Sequence, residues 1–165
     1  VRYRAPRRPV HYVLTAIQHS LSPNARRKIL ATYMGGNVFS TTKKIGITVG
    51  STHEGEQIAT LKGSEIALRG NIALAGLGIT LPEPTTILTN SLSNRTVAEN
   101  VGSAIHCRHF LTRYDILKER IAAGEVRVVY VPDPENPSDY LSKFVDATKM
   151  ARSVDYAAGQ LRGKA

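Results

Sequence analysis

Apolar residues near the start of the chain fall in short runs and alternations, and a helical spacing replaces them from about residue 51. VHYVLTAI (10–17) is dominated by β-branched and aromatic residues and predicts a strand, closed by the turn SLSPN. RKILATYM (27–34) predicts a second strand, the following Gly-Gly pair a tight turn, and NVFSTT (37–42) a third strand, so these residues read as a hairpin. GITV (46–49) predicts a further short strand. Ile58, Leu61, Glu65, Leu68 and Ile72 then recur at three- and four-residue steps, which is a helical period. Ser51 and Glu54 stand at its entrance with the spacing of a capping box.

LPEPTTILT returns to a strand, and 91–100 reads as a short helix with Asn90, Ser91 and Ser93 as candidate caps. CRHFLTRYDILKERIAAG (107–124) is amphipathic, with Phe110, Leu111, Tyr114, Leu117 and Ile121 on one side and Gly124 as its stop. EVRVVYV (125–131) predicts a strand, PDPENP a loop, and SDYLSKFVDATKMA a final helix. The order is three antiparallel-type strands, then helix, strand, helix, helix, strand, helix. It implies an α/β domain whose mixed sheet has helices on both faces.

Composition narrows the function more than the fold. A chain of 165 residues holds one domain with a proper core. The longest apolar stretch, NIALAGLGITL, falls well short of the roughly 20 residues that span a bilayer, so no membrane insertion is expected. The lone Cys107 excludes an internal disulfide framework, offers no zinc cluster, and reads as a small packing residue. Lys and Arg number 22 against 13 acids, a net charge of +9, which favours an anionic partner and most often nucleic acid. Part of the excess lies at the ends: VRYRAPRRP contributes Arg2, Arg4, Arg7 and Arg8, and QLRGKA contributes Arg162 and Lys164. Solvated tails are the bland reading of these residues; contact with a polyanion or a large assembly is the functional one. The expected division is a basic arm over 1–9, a folded domain over 10–150 and a basic tail over 151–165. An Arg-rich start at Val1 is compatible with a cleaved organellar transit peptide, and mitochondrial localisation is the expectation.

Three segments resemble the RNase H domain of copia-type retrotransposon polyproteins. GGNVFSTTKKIGITVGSTHEGEQIA (35–59) is similar to that family's Gly-Gly turn, its strand with paired basic residues and its SSTEAEY-like helix start. PEPTTILTNSLSNRTVAENVG is similar to the next strand and helix, which the family joins by an Asp-Asn-Gln or Asp-Ser-Gln turn. RHFLTRYDILKERIAAGEVRVVYVPDPENPSDYLSKF (108–144) is similar to the closing segment, and this long match is the specific one. The resemblance runs from about residue 10 to 145. It implies an RNase H-like fold: a mixed five-stranded sheet flanked by helices, here with basic N- and C-terminal extensions.

The activity implied by that resemblance is hydrolysis of an RNA strand by two Mg²⁺ held about 4 Å apart by four carboxylates. Carried over by position, the four acids form a broken set. Counting back from Arg26 and Arg27 places the first at Ala16, and residues 10–23 contain no acid at all. The second falls on Glu56, with Glu54 beside it; the third on Asn90; the fourth on Asp139. Two of the four positions thus lack an acid, which predicts no enzymatic activity, no bound metal and no cofactor. The bland readings remain beside these: Glu56 and Asp139 as helix N-terminal acids, Asn90 as a cap, His109 as a surface or packing residue, and His11, His19 and His53 as structural or surface residues.

Three functions follow as expectations. The first is a catalytically inactive RNase H-like protein that serves as a structural, RNA-contacting subunit of a large ribonucleoprotein, the mitochondrial ribosome in particular. RNA, chiefly rRNA phosphates, and neighbouring proteins would be its partners, contacted through Arg2, Arg4, Arg7, Arg8, Arg26, Arg27, Lys28, Lys43, Lys44, Arg162 and Lys164. The second is a divergent RNase H that still cuts RNA in RNA–DNA hybrids. The third is a scaffold in another organellar protein complex.

Overall fold

The structure is a computed structural model that describes residues 11–18, 26–33, 36–46, 49–91, 111–132, 136 and 145–158, with backbone alone for 11–18, 36, 111–114 and 157. The elements within them are β1 (His11–Gln18), β2 (Arg26–Tyr33), β3 (Gly36–Lys44), α1 (Thr52–Gly76), β4 (Thr85–Thr89), α2 (Leu111–Ala122), β5 (Val126–Tyr130) and α3 (Ala147–Ala157). The strands join in the order β3-β2-β1-β4-β5. β1 pairs antiparallel with β2, and β2 with β3, whereas β1 with β4 and β4 with β5 are parallel.

Alternation along the strands assigns each face its helices. Ile29 and Ala31 of β2, Ile87 of β4 and Val126 of β5 pack with Leu61 and Ala67 of α1 and Leu117 of α2. Leu30, Leu88 and Tyr156, with Val131 against them, form a second cluster on the opposite face, so α3 covers that side. β4 is buried at all five positions, as expected of a parallel strand covered on both faces.

α1 starts as its sequence demands, with one difference in the cap. Ser51 Oγ accepts from the Glu54 backbone N–H at 3.1 Å, and Glu54 Oε2 accepts from Gly50 N–H at 2.7 Å, one residue further back than in a standard capping box. Its buried face follows the apolar spacing at Ile58 and Leu61 but not at its far end, and it takes in small and polar residues as well. Glu56, Thr60, Gly63, Ser64 and Ala67 are buried, while Ile72 is 73% exposed. Small residues let the helix lie close to the sheet. The hydroxyls of Thr60 and Ser64 are satisfied locally by donating to the carbonyls of Glu56 and Leu61, at 2.9 and 2.7 Å.

Other expectations need revision. Gly46 and Val49, read as part of a strand, lie outside any strand; Ile45 and Val49 instead pack beneath α1 against Ile58 and Ala59. The last helix is not the continuous run read from Ser138. Asp146 is extended and caps α3, its Oδ1 accepting from Lys149 N–H at 2.8 Å. α3 reaches Ala157 with Tyr156 in the core, so packed structure extends past the boundary set at residue 150. Gly124 ends α2 with φ 69°, a left-handed conformation open to glycine. The helix read over 91–100 falls outside the described residues beyond Ser91, as do Cys107 and His109.

His53, in the first turn of α1, is half-buried with its Nε2 2.7 Å from Gln57 Nε2. Burial lowers its pKa below the ordinary 6.5.

Two measurements check this packing. Tyr156→Ala is expected to lower the unfolding free energy by about 3 kcal/mol in a denaturant titration, whereas a cost near zero would remove α3 from the core. For His53, the depressed pKa means that the unfolded chain takes up the proton first. Its contribution is therefore full above pH 6.5 and is lost as pH falls through the folded value. His53→Gln should flatten the fall in Tm below pH 6.5 relative to wild type, and parallel Tm curves would contradict this.

Candidate functional site

The sheet changes its direction of growth beside β1. From β1 the chain moves outward through β2 and β3, then returns by α1 to place β4 on the other flank. A crevice at the carboxyl ends of β1 and β4 is where open α/β sheets bind ligands, because the connections there diverge. α1 begins at the same end, since β3 runs parallel to β1 and delivers the chain there.

Two similar tripeptides line this end. Leu14-Thr15-Ala16 of β1 lies beside Leu88-Thr89-Asn90, with Leu14 opposite Leu88 and Thr15 opposite Thr89. Ala16 and Asn90 therefore occupy the next adjoining positions. Two residues singled out from distant parts of the sequence come together at one end of two neighbouring strands. Thr89 Oγ1 accepts from Ser91 N–H at 3.2 Å, so the turn after β4 uses the threonine hydroxyl. Glu56 sits on the sheet-facing side of α1, at the end where the helix begins, and is buried. Asp139 lies outside the described residues.

Lys28 corrects the sequence reading. Its place beside Arg26 and Arg27 suggests an RNA contact, yet it is 2% exposed and offers no surface for one. The reason is strand alternation: Lys28 lies two residues from Leu30, on the face that α3 covers. Its register partner on β1 is Ala16. Nothing in the run Arg26-Arg27-Lys28 marks the third cation as the buried one. Only the placement of Leu30 in the core reveals it.

The other basic residues of the two strands do form a surface. Arg26 stands opposite Lys44 and Arg27 opposite Lys43 at the open end of the β2–β3 ladder. Arg26, Lys43 and Lys44 are exposed, and Arg27 is half-buried with its guanidinium donating to the Lys44 carbonyl at 3.3 Å. Like charges placed directly across a ladder repel, and neither Arg26, Arg27, Lys43 nor Lys44 is in an acid–base ion pair among the described contacts. Strand alternation sends one cross-strand pair to each face, so this end of the ladder carries cations on both faces, chemistry suited to a polyanion's phosphates. Arg2, Arg4, Arg7, Arg8, Arg162 and Lys164 lie outside the described residues.

The described residues do not fit a pair of divalent cations. Ala16 has no donor, Asn90 offers a neutral amide, and a buried ammonium stands across from Ala16. Among the described residues, no group of three or more His, Cys, Asp or Glu side chains could hold a metal ion.

No family model matches the chain, and no curated protein matches it in sequence. Solved structures do match in fold. The N-terminal RNase H domain of Rv2228c from Mycobacterium tuberculosis has a TM-score of 0.58 at 14% identity, over 89% of this chain and 99% of that one. LC11-RNase H1, isolated from compost, has a TM-score of 0.59 at 14% identity, over 81% of this chain and 91% of that one. In its complex with an RNA/DNA hybrid the same enzyme matches at TM-score 0.56 and 16% identity, over 81% of this chain and 93% of that one. The foamy viral protease–reverse transcriptase, also bound to an RNA/DNA hybrid, matches at TM-score 0.53 and 12% identity, over 81% of this chain but 19% of that one. At these identities the likeness is one of fold, and this chain has an RNase H-like fold.

Proposed function

We propose that this protein binds nucleic acid through its RNase H-like domain without cleaving it, as a structural, RNA-contacting subunit of a large ribonucleoprotein. The observation that supports binding is the cross-strand pairing of Arg26 with Lys44 and Arg27 with Lys43, which gathers four cations at one end of the sheet. Neighbours in fold have been seen with RNA/DNA hybrids, so the architecture is compatible with a nucleic-acid partner. Contacts from such a patch are to phosphates; they give affinity and orientation with little reading of sequence.

Loss of hydrolysis is supported by the adjoining positions of Ala16 and Asn90. The chemistry of two bound Mg²⁺ needs anionic oxygen ligands beside the scissile phosphate, and neither residue supplies one. We read the chain as a degenerate relative of the copia-type retrotransposon domain. The mitochondrial ribosome, with rRNA as its ligand, is the assembly in which a basic, non-cleaving domain of this kind would serve.

Replacing Arg26, Arg27, Lys43 and Lys44 together by Ala should weaken binding to an RNA/DNA hybrid and to RNA of unrelated sequence to a similar degree. The slope of log K against log salt should shrink by about 0.9 for each cation that touches a duplex phosphate. Unchanged affinity in the quadruple variant would remove the patch from the interface. The wild-type protein should leave the hybrid intact in Mg²⁺ and in Mn²⁺. Cleavage that Glu56→Gln abolishes would establish an active RNase H instead. In a sucrose gradient the native protein should co-sediment with an RNA-containing particle, and migration as free protein would refute the ribonucleoprotein role.

A further inference from the structure

A buried cation and two lost acids share one row of the sheet. Leu14 is opposite Leu30 on one side and Leu88 on the other. One step toward the carboxyl end of β1, Ala16 is opposite Lys28 on β2 and adjoins Asn90 past the end of β4. Leu30 and Leu88 of this row pack with Tyr156. Lys28 is 2% exposed and belongs to the same alternating set as Leu30. Lysine is almost never buried to this degree unless its charge is met by oxygen ligands. Lys28, Asn90 and Glu56 each have an interaction partner.

We propose that the Lys28 ammonium takes over the place and the charge of the divalent cations at this end of the sheet, making the site a metal-free, lysine-centred polar cluster. The inference rests on reading Ala16 and Asn90 as former ligand positions, and it is independent of whether the basic patch binds RNA. Its physical content is an exclusion. An ammonium donates up to three hydrogen bonds to oxygens that a metal would otherwise coordinate, and its charge repels a divalent ion brought beside it. Restoring acids at Ala16 and Asn90 alone would then give Lys28 new partners and still leave no room for a metal. The loss of metal binding has three parts here, and the lysine is the part that a motif search overlooks.

Mn²⁺ binding to the full-length protein, measured by calorimetry with circular dichroism to verify folding, tests this. Wild type and the Ala16→Asp/Asn90→Asp double variant should show no saturable Mn²⁺ site. The triple variant that adds Lys28→Ala should bind Mn²⁺ at least tenfold more tightly than the double variant. Lys28→Met in the same background keeps the apolar stem and should behave alike if the alanine variant does not fold. A double variant that binds as tightly as either triple variant overturns the role of Lys28 and leaves the loss of the two acids standing. Folded triple variants that gain no Mn²⁺ overturn it as well. A saturable Mn²⁺ site in wild type overturns both this inference and the reading of a lost metal site, while hybrid affinity in the absence of divalent ions reports separately on the basic patch.

Discussion

The position of β1 between two differently oriented partners fixes the rest of the molecule. Its antiparallel pairing with β2 and its parallel pairing with β4 must hold a common register, because slipping either by one residue would move every side chain of that strand to the opposite face. Leu14 satisfies both pairings at once, with Leu30 and Leu88 as its register partners. From that row the two cores separate: Ile29, Ala31 and Ile87 point toward α1 and α2, while Leu30 and Leu88 point toward α3. The same register puts Lys28 in the interior and leaves Arg26 and Arg27 at the ladder's end. One alignment of backbone hydrogen bonds therefore decides which cation is buried and which ones stand at the ladder's open end.

The helix on the other face shows how polar residues are accommodated near this end. Besides Ile58 and Leu61, α1 buries Thr60, Gly63, Ser64 and Ala67, small or hydroxyl-bearing side chains that follow two buried carboxylates, Glu54 and Glu56. Side chains of this size bring the helix backbone near the sheet, and the hydroxyls need no cross-element partner because they bond within their own helix. Arg120 of α2 also donates to Ser64, tying the two helices together over the sheet. The interior beside the switch in strand order is thus polar by construction rather than by accident of one residue.

Element order was legible in the sequence because each segment carries its own signal: β-branched runs for β1, β2 and β4, a capping serine before α1, and a glycine stop after α2. The resemblance singles out Ala16 and Asn90, and the β1–β4 register makes their positions adjoin. What could not be read was which face of an element is buried when its composition does not announce it. Ile58 and Leu61 are buried as the apolar stripe of α1 predicts, yet Thr60, Gly63 and Ser64 beside them are buried too, and Ile72 is exposed. Lys28 offers no local clue, since three consecutive cations look alike until the strand's alternation is anchored by Leu30. Tyr156 likewise joins the core from a segment whose charge suggests a tail.

The cation pairs at the end of the β2–β3 ladder have a mechanical consequence. Four positive charges facing each other across two strands push those strands apart, so the last rungs close most firmly when mobile anions or a phosphate chain lie between them. Fraying of this ladder end is then coupled to the ionic surroundings of the protein. β3 is an edge strand, with Val38 61% and Phe39 46% exposed further along it, and a second copy approaching that edge meets a repelling charge before it finds backbone groups to pair with. The same charges therefore oppose edge-to-edge stacking of identical molecules.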